Sequence, residues 1–184
     1  MEQVPWARDL AHRLLAGPLP RRWAHTEGVA RKAESIAHIV GQDAGLLMSA
    51  AWLHDIGYAP NLIGTGFHPL DGARYLRDVE QVDSRLCRLV ANHSFATTEA
   101  GHRGLGDQLN HEFANVSGLI PDALTYCDMT TDPDGRPVSV QYRLHEVLLR
   151  YGKADPVNRS IREARPHIIA STERIMAILR RANP

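Results

Sequence analysis

Several things are scarce in this chain. Cysteine occurs twice in 184 residues, at Cys87 and Cys127, which excludes a disulfide framework. Both lie in apolar, helical-looking surroundings and read as reduced core thiols. Net charge is absent, with Lys plus Arg and Asp plus Glu at 21 each. No global field therefore draws the chain onto a nucleic acid polymer or an anionic membrane, and an anionic ligand must be held by a local pocket. Apolar runs long enough for a signal peptide or a membrane span are missing, and acidic residues occupy the N-terminal stretch, so a cytoplasmic location is expected. Period-two alternation, internal repeats and low-complexity tracts are missing too, which excludes sheet-based and solenoid architectures.

What is present is an ordinary globular composition, 43% hydrophobic and 23% charged, at a length suited to one domain spanning 1–184. Histidine stands out at ten residues. The spacing predicts helices nearly throughout. Trp6, Leu10, Leu14 and Leu15 form a stripe ending at Gly17-Pro18. Val29, Ala33, Ile36 and Val40 recur at helical steps, closed by Gly41, and one further step back lands on His25. Asp43 reads as the N-cap of a third helix whose inner face is Leu46, Leu47, Ala50 and Leu53, with Gly57 as its stop.

The segment 57–67, GYAPNLIGTGF, reads as a surface loop, followed by a helix over 68–79 that His68 enters. Asp83 or Ser84 caps the next helix, where Leu86, Leu89, Val90 and His93 share one face. Residues 94–106 read as a polar, mobile excursion. Leu124 and Cys127 mark a helix opening at Pro121-Asp122 that turns Asp128 inward. The TDPDGRP run is a turn by its residue types, and two helices, 139–151 and 156–181, complete an all-α core.

His54 and Asp55 stand side by side in AAWLHDIG. Alone the pair says little, because a histidine ending a buried helix is ordinarily a hydrogen-bonded core group. Yet separate helices also aim His25, His93 and Asp128 along their apolar stripes, and His68 enters from a helix start. Each buried polar group costs a few kcal/mol, roughly, unless partnered. A shared metal partners them all. The imidazole and carboxylate mixture suits Mn, Fe, Co, Ni or Zn more than Ca or Mg, and the number of donors is enough for two ions.

The order His25, His54-Asp55, Asp128 resembles the H, HD and distant D pattern of the HD-domain metal-dependent phosphohydrolase superfamily. HDIG at 54–57 is a frequent spelling of its central motif, and the resemblance spans 21–131. It implies a compact all-α HD fold holding divalent transition metal, with His68 and His93 like the added ligands of two-metal members such as dinucleoside polyphosphate hydrolases. By that likeness Asp55 bridges, with His25, His54 and Asp128 on one side and His68 and His93 on the other. The GYP motif of cyclic dinucleotide phosphodiesterases is missing, since Gly57 is followed by Tyr58-Ala59-Pro60.

The implied reaction is hydrolysis of a phosphoester or phosphoanhydride of a small nucleotide-like metabolite by a metal-activated water. Arg143 is the foremost phosphate clamp, with Arg21, Arg22 and Lys153 behind it. Glu27 and Asp71 are acid/base candidates by their nearness to His25 and His68, and His102 and His111 are candidate lid contacts. His12, His38, His145 and His167 read as ordinary polar residues. Two alternatives stand beside this reading: a di-iron oxygenase, since a minority of HD-fold proteins with these six ligands cleave C–C or C–P bonds, and a catalytically silent signalling module. Self-association is left open.

Overall fold

The computed structural model describes residues 3–182. Among them there are only helices, turns and one isolated bridge, Thr131 with Pro137. Helix α1 spans Gln3–Leu15 and α2 Pro20–Ile36, followed by a 3-10 stretch Ala37–Asp43. Then come α3 (Ala44–Leu53), α4 (His68–Asp78), α5 (Ser84–Asn92), α6 (Ala96–His102) and α7 (Gly106–Glu112). Three more follow, α8 (Leu119–Met129), α9 (Val140–Arg150) and α10 (Pro156–Ala182). None of the described helices is long and apolar enough to cross a membrane.

Helix α3 is the centre, because its sequence AGLLMSAAWL is apolar on nearly every side and such a helix must be surrounded. Leu47, Ala50, Ala51 and Leu53 are fully buried. Small residues on α3 let α1, α2, α5 and α8 close on it, bringing in Leu10, Val29, Val90 and Leu124. A smaller apolar cluster of Met129, Val140, Leu144, Ala164 and Ile168 joins α8 to α9 and α10. Asp128 lies next to Met129, at the junction between these clusters. Cys87 and Cys127 are free and buried; burial pushes the Cys87 thiol up to about 11 and raises Cys127 further.

Four local expectations are corrected by the tertiary context. The α-helical part of α2 ends at Ile36, ahead of Gly41 (φ 57°, ψ −121°), so Val40 belongs to the 3-10 stretch. Asp43 accepts no bond from α3 and instead pairs with Arg85 Nη2 at 3.0 Å. The loop 57–67 is only partly at the surface: it contains 3-10 turns Ile56–Tyr58 and Pro60–Leu62, and Gly57, Ala59 and Phe67 are buried. The stretch 94–106 is mostly helical, since Ala96 and Ala100 bury against the core and Glu99 pairs with Arg103 one turn on. Asp83 caps α5 as expected, accepting from the Arg85 amide at 2.8 Å.

Candidate metal centre

The helices meet so that their ends deliver the ionisable groups. Arg22 and His25 lie one turn apart on α2. Helix α3 stops at Leu53; His54 keeps helical dihedrals and Asp55 leaves them at φ −105°, ψ 4°, the sparsely allowed region where site residues are often held. His68 opens α4. His93 follows the last residue of α5, and the chain then turns through Ser94 (φ 49°) and Phe95 (φ 63°). Two successive left-handed residues that are not glycine cost of order 1–2 kcal/mol each. Ser94 Oγ donates to Asp128 Oδ2 at 2.5 Å, which fixes that carboxylate on α8.

Donor atoms of His25, His54 and Asp128 lie within 4.8 Å of one another, and so do those of Asp55, His68 and His93. Asp55 stands between the groups. Its Oδ2 is 3.3 Å from His54 Nε2 and 3.8 Å from His25 Nε2, while its Oδ1 is 3.3 Å from His68 Nε2 and 4.0 Å from His93 Nε2. His25 Nε2 is 3.0 Å from Asp128 Oδ1. The Nε2 atoms of His68 and His93 are 3.2 Å apart, too close for two lone pairs unless a proton or a cation lies between them.

Three of the four histidines are oriented by the backbone. His54 Nδ1 donates to the Ala51 carbonyl at 2.8 Å, His93 Nδ1 to Val90 at 2.7 Å and His25 Nδ1 to Asp132 at 3.0 Å. Each bond leaves Nε2 as the lone-pair nitrogen of the neutral ring, the tautomer a metal ligand needs. His54 Nε2 is buried with no hydrogen-bond partner, the one orphaned ring nitrogen among the described residues. The donor set therefore fits divalent transition metal: unpartnered or facing imidazole nitrogens, with carboxylate oxygens between them.

The carbonyl that orients His25 comes from the turn 132–136, pressed onto α2. A Cβ on Gly28 would meet the Gly135 oxygen at 2.5 Å, and Gly135 itself has φ 77°, so both positions require glycine.

The charges are tightly coupled. Burial alone would raise Asp55, but Arg22 and then His54 and His68 outweigh it and hold the carboxyl well below its usual range. Asp128 is depressed in the same way, with burial overcome by His25, His54 and Arg143. Burial and the neighbouring His68 and His54 lower His93 to about 4. For His54 burial is outweighed by Asp55 and Asp128, and its pKa is raised.

The other sequence candidates divide. Arg143 is 5% exposed and lines the cavity over the cluster, with Arg22, Tyr58, Glu99 and Arg150. Arg22 makes the closest cationic contact: its Nη1 donates to Asp55 Oδ2 at 2.7 Å, and its guanidinium lies 4.1 Å over the Tyr58 ring. Arg21 pairs with Asp134, and Lys153 is exposed and lines no described cavity.

Glu27 is not brought to the cluster. Two helical steps from His25 turn it some 200° away, into a separate cavity with Arg8, Arg31 and Trp52. Asp71 is buried but fully engaged elsewhere, accepting from Thr65 N and Oγ1 at 2.9 Å each and from Gly66 N at 3.0 Å. It anchors the loop that leads into His68. Asp71→Ala should loosen that loop and lower stability by about 1–3 kcal/mol while leaving the reacting groups in place. Thermal melting and a kcat that survives at reduced temperature check this.

His102 pairs with Glu163 at 2.9 Å, and His111 is exposed on α7. Neither lines the cavity over the cluster. Tyr58, Glu99, Ser94 and Arg150 carried no sequence signal, because nothing local distinguishes them from surface polar residues.

The HD domain family model matches residues 22–128 of this chain. Comparison with curated proteins and with solved structures gave no match. The matched segment runs from the first arginine of the cluster to its last carboxylate and covers more than half of the sequence. The chain belongs to the HD domain family.

Proposed function

We propose that this protein is a metal-dependent phosphohydrolase that cleaves a phosphoester or phosphoanhydride of a small nucleotide-like metabolite. One observation carries the reading: the two donor groups share Asp55, one carboxylate oxygen facing each, beneath a cavity edged by Arg22, Arg143 and Arg150. His25, His54 and Asp128 would hold one ion and His68 and His93 a second, with Asp55 between. Divalent transition metals bound there supply Lewis acidity toward phosphoryl oxygens and lower the pKa of water.

The chain's own groups do the rest. Arg22 binds oxygens of the scissile phosphoryl, exchanging its present carboxylate partner for the substrate, and Arg143 binds phosphate farther along the cavity. Val147, Ile161 and Ala164 wall the cavity and limit water. Tyr58 and Glu99 line it where a leaving group would sit. Burial, with Asp55 nearby, raises the Tyr58 pKa even against Arg22, so the phenol stays protonated as a hydrogen-bond donor. Glu99 takes the place of Glu27 and Asp71 as the carboxyl candidate for proton transfer.

The test is metal analysis of protein purified without chelator, then a phosphatase and phosphodiesterase panel with Mn, Co, Ni and Fe(II). Phosphate release that persists without oxygen is expected. Turnover that requires oxygen, with no phosphate release under any metal, would replace this reading by the di-iron oxygenase one.

Metal uptake should depend on pH with a definite sign. In the metal-free protein the raised pKa of His54 keeps a proton at the nitrogen a cation needs, so apparent affinity falls as pH falls. The change should reach up to about tenfold per pH unit below that pKa, with a proton released on binding. Calorimetric titration between pH 6 and 8 in buffers of different ionisation enthalpy measures both, and a pH-independent affinity contradicts it.

A further inference from the structure

We infer that Arg143 and Arg150, which line both cavities beside the cluster, form a second anion subsite, so that the substrate carries a phosphate group in addition to the scissile phosphoryl. This rests on the hydrolase reading and narrows it to a phosphoanhydride or bisphosphate.

The inner cavity, about 100 Å³, touches Asp55, His68, His93 and Asp128. A larger outer one, about 370 Å³, reaches His25 and is walled by Pro18, Leu19, Pro20 and Pro133. Arg22, Tyr58, Arg143 and Arg150 line both. A ligand extending from the cluster into the outer cavity therefore passes these arginines.

Arg143 and Arg150 both donate to a single carboxylate, Glu146; the spacing 143, 146, 150 on α9 puts all three on one helix face. Arg143 is 5% exposed, its Nη1 bond to Glu146 is its one side-chain hydrogen bond, and its Nε has no partner. A buried guanidinium with unfilled donors is destabilising in water-poor surroundings and is satisfied by a dianionic phosphate, whose oxygens match its fork. Arg143 and Arg150 both lie outside the segment matched to the family, 22–128, so the subsite belongs to the C-terminal helices of this chain.

The experiment compares methylenediphosphonate with methylphosphonate, by calorimetry, on Mn(II)-loaded protein and on its Arg150→Gln and Arg150→Lys variants. Inorganic phosphate is titrated against chelator-treated protein by thermal shift. Circular dichroism checks that the variants fold. The diphosphonate should bind wild type about tenfold tighter or more, a preference that Arg150→Gln reduces severalfold and Arg150→Lys partly restores. Phosphate should raise the melting temperature of the chelated wild type more than that of Arg150→Gln.

Equal affinities in wild type, an unchanged preference in Arg150→Gln, or no phosphate effect on the chelated protein overturns the subsite. Failure of the hydrolase reading looks different: no substrate is turned over with any metal, while the phosphate shift of the chelated protein stands.

Discussion

Asp55→Asn is expected to lower turnover by about 10³-fold or more and to cut metal content well below that of the wild type. The side chain keeps its size, so the change tests charge and ligation. In the native arrangement one oxygen faces His25 and His54 and the other faces His68 and His93. No other carboxylate among the described residues stands between both donor groups.

An amide supplies a single weak oxygen donor and no negative charge, so cations held by the two donor groups would lose the carboxylate between them and its screening of their repulsion. Arg22 loses its ion pair but keeps a hydrogen-bond acceptor, which limits the stability loss to about 1–3 kcal/mol. The measurements are metal stoichiometry and kcat, with circular dichroism confirming the fold. Unchanged metal content and turnover in Asp55→Asn and in His54→Ala would remove the metal centre from the account.

Gly57→Ala should be the most destabilising small substitution at the site. A Cβ there would lie 2.0 Å from the His68 carbonyl oxygen and 2.6 Å from the Gly72 amide nitrogen. Both are backbone atoms of α4, so relief requires moving the helix. Overpacking of this kind costs about 3 kcal/mol or more, a fall in melting temperature of roughly 6–12 °C at this chain length. Since His68 is the first residue of α4, metal binding at Asp55, His68 and His93 should weaken before binding at His25, His54 and Asp128 does.

Gly45→Ala is the internal control. A Cβ at Gly45, within α3, meets nothing within 4 Å, and the exchange should be neutral or stabilising by up to about 1 kcal/mol. Melting curves and stoichiometric metal titration of both variants decide the matter. A Gly57→Ala protein that melts like the wild type and fills both groups contradicts the packing.

Gly57 also shows how local and distant causes divide. From the sequence it reads as a stop for α3. In the structure its φ is not positive; it is glycine because α4 crosses it, with Gly72 in reciprocal contact. Nothing within a few residues of position 57 reveals a helix arriving from 68–78. The same holds for 94–106, where glycine, threonine and histidine conceal α6, a helix held by Ala96 and Ala100 burying against distant partners.

The sequence alone determined an all-α chain and the inward facing of His25, His93 and Asp128, because helical periodicity is a short-range property that three or four apolar neighbours suffice to set. It also made His54-Asp55 the pivot, since adjacent residues need no fold to be adjacent. What it could not determine depends on contacts between segments 33 to 107 residues apart, such as Arg22 with Asp55 or His25 with Asp132. Only the tertiary structure placed Arg22 on Asp55, the Asp132 carbonyl on His25 and Arg143 over the cluster. Those outcomes follow from how close the helices pack and at which ends they meet, which α3 and its small residues control from the centre of the molecule.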